Sequence, residues 1–64
     1  MKVKIGNDIK IIEGENYKVY EIFKILNFNP EEYIVIRNNE VLTEDEIIKG
    51  DDEIELIRVI SGGI

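Results

Sequence analysis

Asn16-Tyr17-Lys18-Val19-Tyr20-Glu21-Ile22-Phe23-Lys24-Ile25-Leu26 is where the chain changes its hydrophobic period. Val19, Ile22, Phe23 and Leu26 recur at i, i+3, i+4 and i+7, which places them on one face of a helix. Asn16 is the expected N-cap, its side-chain oxygen free to accept a first-turn amide. Lys18, Glu21 and Lys24 turn toward solvent, Tyr20 lies at the boundary and Tyr17 covers the helix start. Pro30 disfavours helical geometry at the residue before it, so the helix is expected to stop near Asn27 to Asn29. Glu31 and Glu32 then form a polar turn.

The residues before this stretch alternate with period two. Val3 and Ile5 interleave with Lys2 and Lys4, Gly6-Asn7-Asp8 reads as a turn, and an apolar segment resumes at Ile9 to Ile12. The expectation is a β-hairpin of Lys2–Ile5 with Ile9–Glu13. After the helix, Tyr33 to Ile36 is apolar on both faces, the pattern of an inner strand. Arg37-Asn38-Asn39-Glu40 suits a tight hairpin, because asparagine tolerates left-handed backbone. Val41 and Leu42 return. Thr43-Glu44-Asp45-Glu46 has the form of an N-cap box and predicts one short helical turn before Gly50, with Ile47 and Ile48 closing one end of the core. Glu53 to Ile60 is the last strand. Ile54, Leu56, Arg58 and Ile60 share one face, and Glu53, Glu55, Ile57 and Val59 the other, with room for a bulge that shifts the register. The order β-β-α-β-β-β predicts a two-layer α+β domain, one helix on a mixed sheet of four or five strands.

Sixty-four residues make one domain of modest core size, and the chain has neither cysteine nor histidine. Disulfides, Cys/His zinc sites, thiol nucleophiles and imidazole bases are therefore excluded. The missing cysteine suits a reducing cytoplasm. The net charge of −6 argues against nucleic-acid binding and suits docking on a basic partner surface. No apolar run approaches the roughly 20 residues that span a bilayer, and the N-terminus lacks the h-region of a signal peptide. The acids at Glu44, Asp45, Glu46, Asp51, Asp52 and Glu53 read as solvated turns rather than a cation site.

The ending carries the remaining information. Ser61-Gly62-Gly63-Ile64 follows the last strand directly. Glycines without Cβ atoms make a slender tail that could enter a narrow channel. Lys49-Gly50-Asp51-Asp52-Glu53-Ile54-Glu55-Leu56-Ile57-Arg58-Val59-Ile60-Ser61-Gly62-Gly63 resembles the ending of the ubiquitin-like β-grasp sulfur carriers of ThiS/MoaD type, and most resembles the thiamine-biosynthesis type. Glu21 to Leu26 and Val35 to Leu42 extend the resemblance over nearly the whole chain.

The resemblance implies a ubiquitin-like β-grasp fold, with residues 1–64 forming one domain and 61–64 a flexible tail. It implies that the protein is not an enzyme and binds no cofactor of its own. It also implies a sequence of partners. An E1-like adenylating enzyme, using ATP and Mg²⁺, activates the carboxylate of Gly63, next to Gly62. A sulfur donor protein converts the carboxylate to a thiocarboxylate. Thiazole synthase, or another sulfur-accepting enzyme, then takes the sulfur. Ile57, Arg58, Val59, Ile60 and Ser61 adjoin the tail and are the expected docking residues. Ile64 departs from the family pattern, since it covers Gly63's carboxylate and places a branched side chain where the tail should enter. Its removal is expected. Carriage of sulfur for molybdopterin or tRNA, covalent modification of protein lysines, and a binding-only β-grasp module all remain open.

Overall fold

The computed structural model of the protein describes residues 1–59. Strands β1 (Lys2–Ile5), β2 (Asp8–Ile11), β4 (Tyr33–Arg37), β5 (Glu40–Leu42) and β7 (Glu53–Arg58) form one sheet in the order β2-β1-β7-β4-β5. Helix α1 (Val19–Leu26) packs on one face. Strands β3 (Tyr17–Lys18) and β6 (Ile47–Ile48) make a separate small ladder at the helix start. A 3-10 turn, Pro30–Glu32, leads into β4. All sheet pairings are antiparallel except β1 with β7. Two adjacent parallel strands cannot be joined by a tight turn, and the long connection between them carries the helix. This is the β-grasp arrangement, an α+β fold with a five-stranded mixed sheet packed on one helix.

The core lies between the helix and the inner sheet face. Val19, Ile22 and Phe23 meet Val3, Val35, Leu42, Ile54 and Leu56, all buried, with Leu26 packed at the margin. The helical stripe read from the period is the stripe that is buried. Fully burying one such aliphatic side chain stabilises the fold by about 1.5–3 kcal/mol, so a few of them decide whether so small a domain folds.

Several local expectations need correction. The first hairpin pairs Lys2–Ile5 with Asp8–Ile11, not with Ile9–Glu13. Its turn is Gly6-Asn7, with Gly6 at φ 60°, the position a type II′ turn gives to glycine. Asn16 is not the helix cap. Its φ of 62° is left-handed, whereas an N-cap needs extended backbone, which Lys18 supplies at φ −77° and ψ 153°. An ammonium group cannot accept a hydrogen bond. The first helical amides are met from a distance instead: Val19 N–H donates to the Glu46 carbonyl at 3.0 Å and Tyr20 N–H to that of Glu44 at 3.3 Å. The Glu21 carboxylate accepts from Lys18 N–H at 2.9 Å.

The same bonds explain a second correction. Thr43 to Glu46 does not open a helix. Glu46 N–H donates to the Thr43 carbonyl at 3.2 Å, closing a turn, and the chain continues as β6. Ile48 is fully buried, while Ile47 is 41% exposed, so only one of the pair closes the core. Strand β4 lies inside the sheet as its two apolar faces suggest, and the middle position belongs to β7. β7 runs from Glu53 to Arg58 in unbroken register with β4 and needs no bulge. Asn38 and Asn39 both have positive φ, 53° and 66°, as the tight β4–β5 turn requires. Asn27, at φ 60°, ends α1 in left-handed geometry.

Candidate functional site

The candidate site is built on β7, because Ile57, Arg58 and Val59, at its end, are the expected docking residues that the structure describes. Register fixes which residues point where. Ile54 and Leu56 face the helix, and Glu53, Glu55 and Ile57 face outward. Lys4 stands opposite Glu55 and beside Ile9, while Ile36 stands opposite Glu55 and beside Val41. Ile9, Lys4, Glu55, Ile36 and Val41 thus form one row across all five strands. Ile11, Lys2 and Glu53 begin a second, and Lys2 and Glu53 approach to 3.7 Å. Ile34 and Ile57 form a third. Ile9, Ile11, Val41 and Ile57 are exposed large apolar residues on this face. The face is a band of isoleucine and valine crossed by a lysine–glutamate seam, and the one α-helix among the described residues packs on the opposite face.

Where β7 ends, its backbone is tied down. Val59 N–H donates to the Glu32 carbonyl at 2.7 Å. Arg58, well exposed, lies 3.6 Å from the Glu32 carboxylate. Such an exposed ion pair contributes at most about 1 kcal/mol, so the main-chain bond holds this end more firmly. Beside it Tyr33 stacks on Phe28, ring centroids 4.9 Å apart, and tilts against Phe23. Ile5, Tyr33, Leu56, Ile57 and Arg58, with Gly6 and Glu55, line a depression of about 460 Å³ at the same end.

Of the expected docking residues, Ile57 is on the outer face, Arg58 is exposed at the strand end and Val59 is half-buried. Ile60, Ser61, Gly62, Gly63 and Ile64 lie outside the described residues. Ile9, Ile11, Ile34, Ile36 and Val41 share the outer face with Ile57 and are not among the expected docking residues. The alternation of Ile9 and Ile11 with Asp8 and Lys10 was the available signal, and it marked one face of β2 as apolar. Which face of the sheet that was could only come from the pairing.

One polar cluster is well defined. Asp52 Oδ2 accepts from Lys49 N–H and from Arg37 Nη1, each at 2.9 Å, and Arg37 Nη1 also donates to the Ile47 carbonyl at 2.9 Å. The Lys49 N–H bond, aided by Arg37, holds the Asp52 carboxyl below its ordinary value against the opposing effect of burial. The cluster fastens the 47–52 segment to the end of β4 and is structural. Among the described residues, no group of three or more acidic side chains converges on a metal position.

The ThiS family pattern matches residues 2–63. An uncharacterized protein of Archaeoglobus fulgidus is 39% identical over 70 aligned positions, covering 98% of this chain and all of that one. The sulfur carrier protein TtuB of Thermus thermophilus is 33% identical over 48 positions, 75% of this chain and 74% of its own. With the match spanning nearly its whole length, the chain belongs to the ThiS family.

Proposed function

We propose that the protein is a small sulfur carrier whose working group is the carboxylate of Gly63. The observation that carries this reading is the ThiS-family likeness over residues 2–63, which takes in Ser61-Gly62-Gly63. The likeness to a protein named as a sulfur carrier supports it. As a ThiS-family protein the chain is not an enzyme; it is acted upon. A carboxylate is a poor electrophile at neutral pH. An E1-like enzyme with ATP and Mg²⁺ converts it to an acyl-adenylate: the carboxylate oxygen attacks the α-phosphorus and expels pyrophosphate, which makes AMP the leaving group of the next step. Sulfur delivered by the donor at the sulfide level then attacks the acyl carbon and expels AMP, leaving the thiocarboxylate. The body supplies an address, and the electrostatic work of activation is done by the enzyme.

Residues 1–64 act as one domain in the cytoplasm, with 61–64 as the tail. Ile64 is removed before activation, since its peptide bond occupies the carboxyl carbon that must react. The outer face of the sheet, with Ile57 and the strand end at Arg58 and Val59 continuing to Ile60 and Ser61, docks on the adenylating enzyme. Thiazole synthesis for thiamine is the sulfur destination, on the likeness of the ending to that type. Intact-mass analysis of the protein isolated from its own cell tests this reading. The expected species ends at Gly63 and includes a form with sulfur in place of one oxygen. A population that keeps Ile64 throughout, or lysine-linked remnants of the tail on other proteins with no thiocarboxylate, contradicts it.

A further inference from the structure

We propose that β2 is a self-pairing edge, through which two copies of this chain join antiparallel into one continuous sheet. β2 is the outermost strand beside β1, and all of its residues are exposed. The bonding pattern shows which of its backbone groups are free. Met1 and Ile12 exchange two bonds, Ile12 N–H to the Met1 carbonyl at 2.9 Å and the Met1 ammonium to the Ile12 carbonyl at 2.7 Å. Antiparallel ladders alternate between bonded and non-bonded pairs. Val3–Lys10 and Ile5–Asp8 are therefore bonded pairs, and Lys2–Ile11 and Lys4–Ile9 are not. The amide and carbonyl of Ile9 and of Ile11 consequently point away from β1, toward the open edge, where no described residue meets them. Exposed edges of this kind are templates for strand addition.

The side chains select the occupant. A two-fold axis at Ile9 pairs Ile9 with Ile9 of the second copy as a doubly bonded pair. It sets Asp8 opposite Lys10 of the second copy, and Lys10 opposite its Asp8. These flanking positions are non-bonded pairs, whose side chains approach closely, and opposite charges there are favourable. The next register pairs Ile9 with Ile11 and sets Lys10 against Lys10, which is unfavourable. An axis at Ile11 sets Lys10 against Ile12, already buried and bonded to Met1. Only the first register matches charge with charge and leaves the apolar residues on one face. The overall charge of −6 opposes association, but Lys2, Lys4 and Lys10 all lie on this hairpin, so the edge itself is not acidic.

Sedimentation of the full chain from micromolar to millimolar concentration, at physiological salt, tests the proposal. The expected result is a rise from the 7.4 kDa monomer toward twice that mass, with the Ile9 and Ile11 amides gaining protection from hydrogen exchange over the same range. Asp8→Lys and Lys10→Asp should each stay monomeric, because each sets like charges opposite one another, and a one-to-one mixture of the two should recover the doubled mass. Circular dichroism confirms that both variants fold. A wild-type chain that remains monomeric at millimolar concentration overturns the proposal. So does a dimer that both variants retain, or a mixture that does not recover what its components lost.

Discussion

Asp52 joins three segments that are distant in sequence. Its carboxylate accepts from Lys49 N–H and Arg37, and its carbonyl accepts from Lys2 N–H at 3.0 Å at the start of the parallel β1–β7 pair. Because its folded pKa lies below the ordinary 3.8, the carboxylate contributes stability that is present in full above that value and is lost as pH falls through the depressed one. Asp52→Ala should therefore lower stability at neutral pH by about 1.5–3 kcal/mol, the range for hydrogen bonds to a charged group. The gap between the variant and the native chain should narrow in acid. Urea midpoints measured at pH 7 and well below 3.8 check this, and a gap that is the same at both contradicts it. The sequence showed Asp52 only as one acid in a turn. The Lys49 amide lies three residues before it, but Arg37 lies 15 residues away, and no local pattern reports that partner.

At the scale of elements, legibility followed locality. The α1 stripe, the Gly6 turn, the Asn38-Asn39 turn and the common face of Ile54 and Leu56 are set by residues within a few positions of one another, and each was readable; which face of β7 turns inward was not. The segment from Thr43 to Ile48 was not. Its threonine and glutamates satisfy a capping rule, but the amides they serve are those of α1, reached through the Glu44 and Glu46 carbonyls. A main-chain acceptor carries no residue identity, so sequence cannot announce it. The outer sheet face was legible as alternation within β2 and β7 but not as a surface, because the rows exist only after β1, β7 and β4 are paired. Ile57 sits in that surface, 37% exposed. Ile57→Asp should leave the fold largely intact and weaken association with the adenylating enzyme by about tenfold or more, the effect of losing an apolar anchor worth over 1 kcal/mol. Titration calorimetry with the activating enzyme checks this, and unchanged affinity removes Ile57 from the docking surface.

The whole molecule is organised around its last strand. β7 is central, paired with both β1 and β4, and it is the last described strand before residues 60–64. Its base is fixed again where Val59 bonds to Glu32. Under the proposed function, this firmly paired strand is the base from which Gly63 is presented to the activating enzyme. The chain has neither cysteine nor histidine, so the proposed carriage of sulfur uses no side-chain thiol of its own. The most direct measurement is intact mass after incubation of two forms of the chain, one ending at Gly63 and one retaining Ile64, with the adenylating enzyme, ATP, Mg²⁺ and a sulfur donor. The form ending at Gly63 should gain the mass of one sulfur-for-oxygen exchange, and the form retaining Ile64 should not change. An unmodified Gly63 form under conditions that thiolate another ThiS-family carrier, or equal modification of both forms, would contradict a mechanism centred on the Gly63 carboxylate.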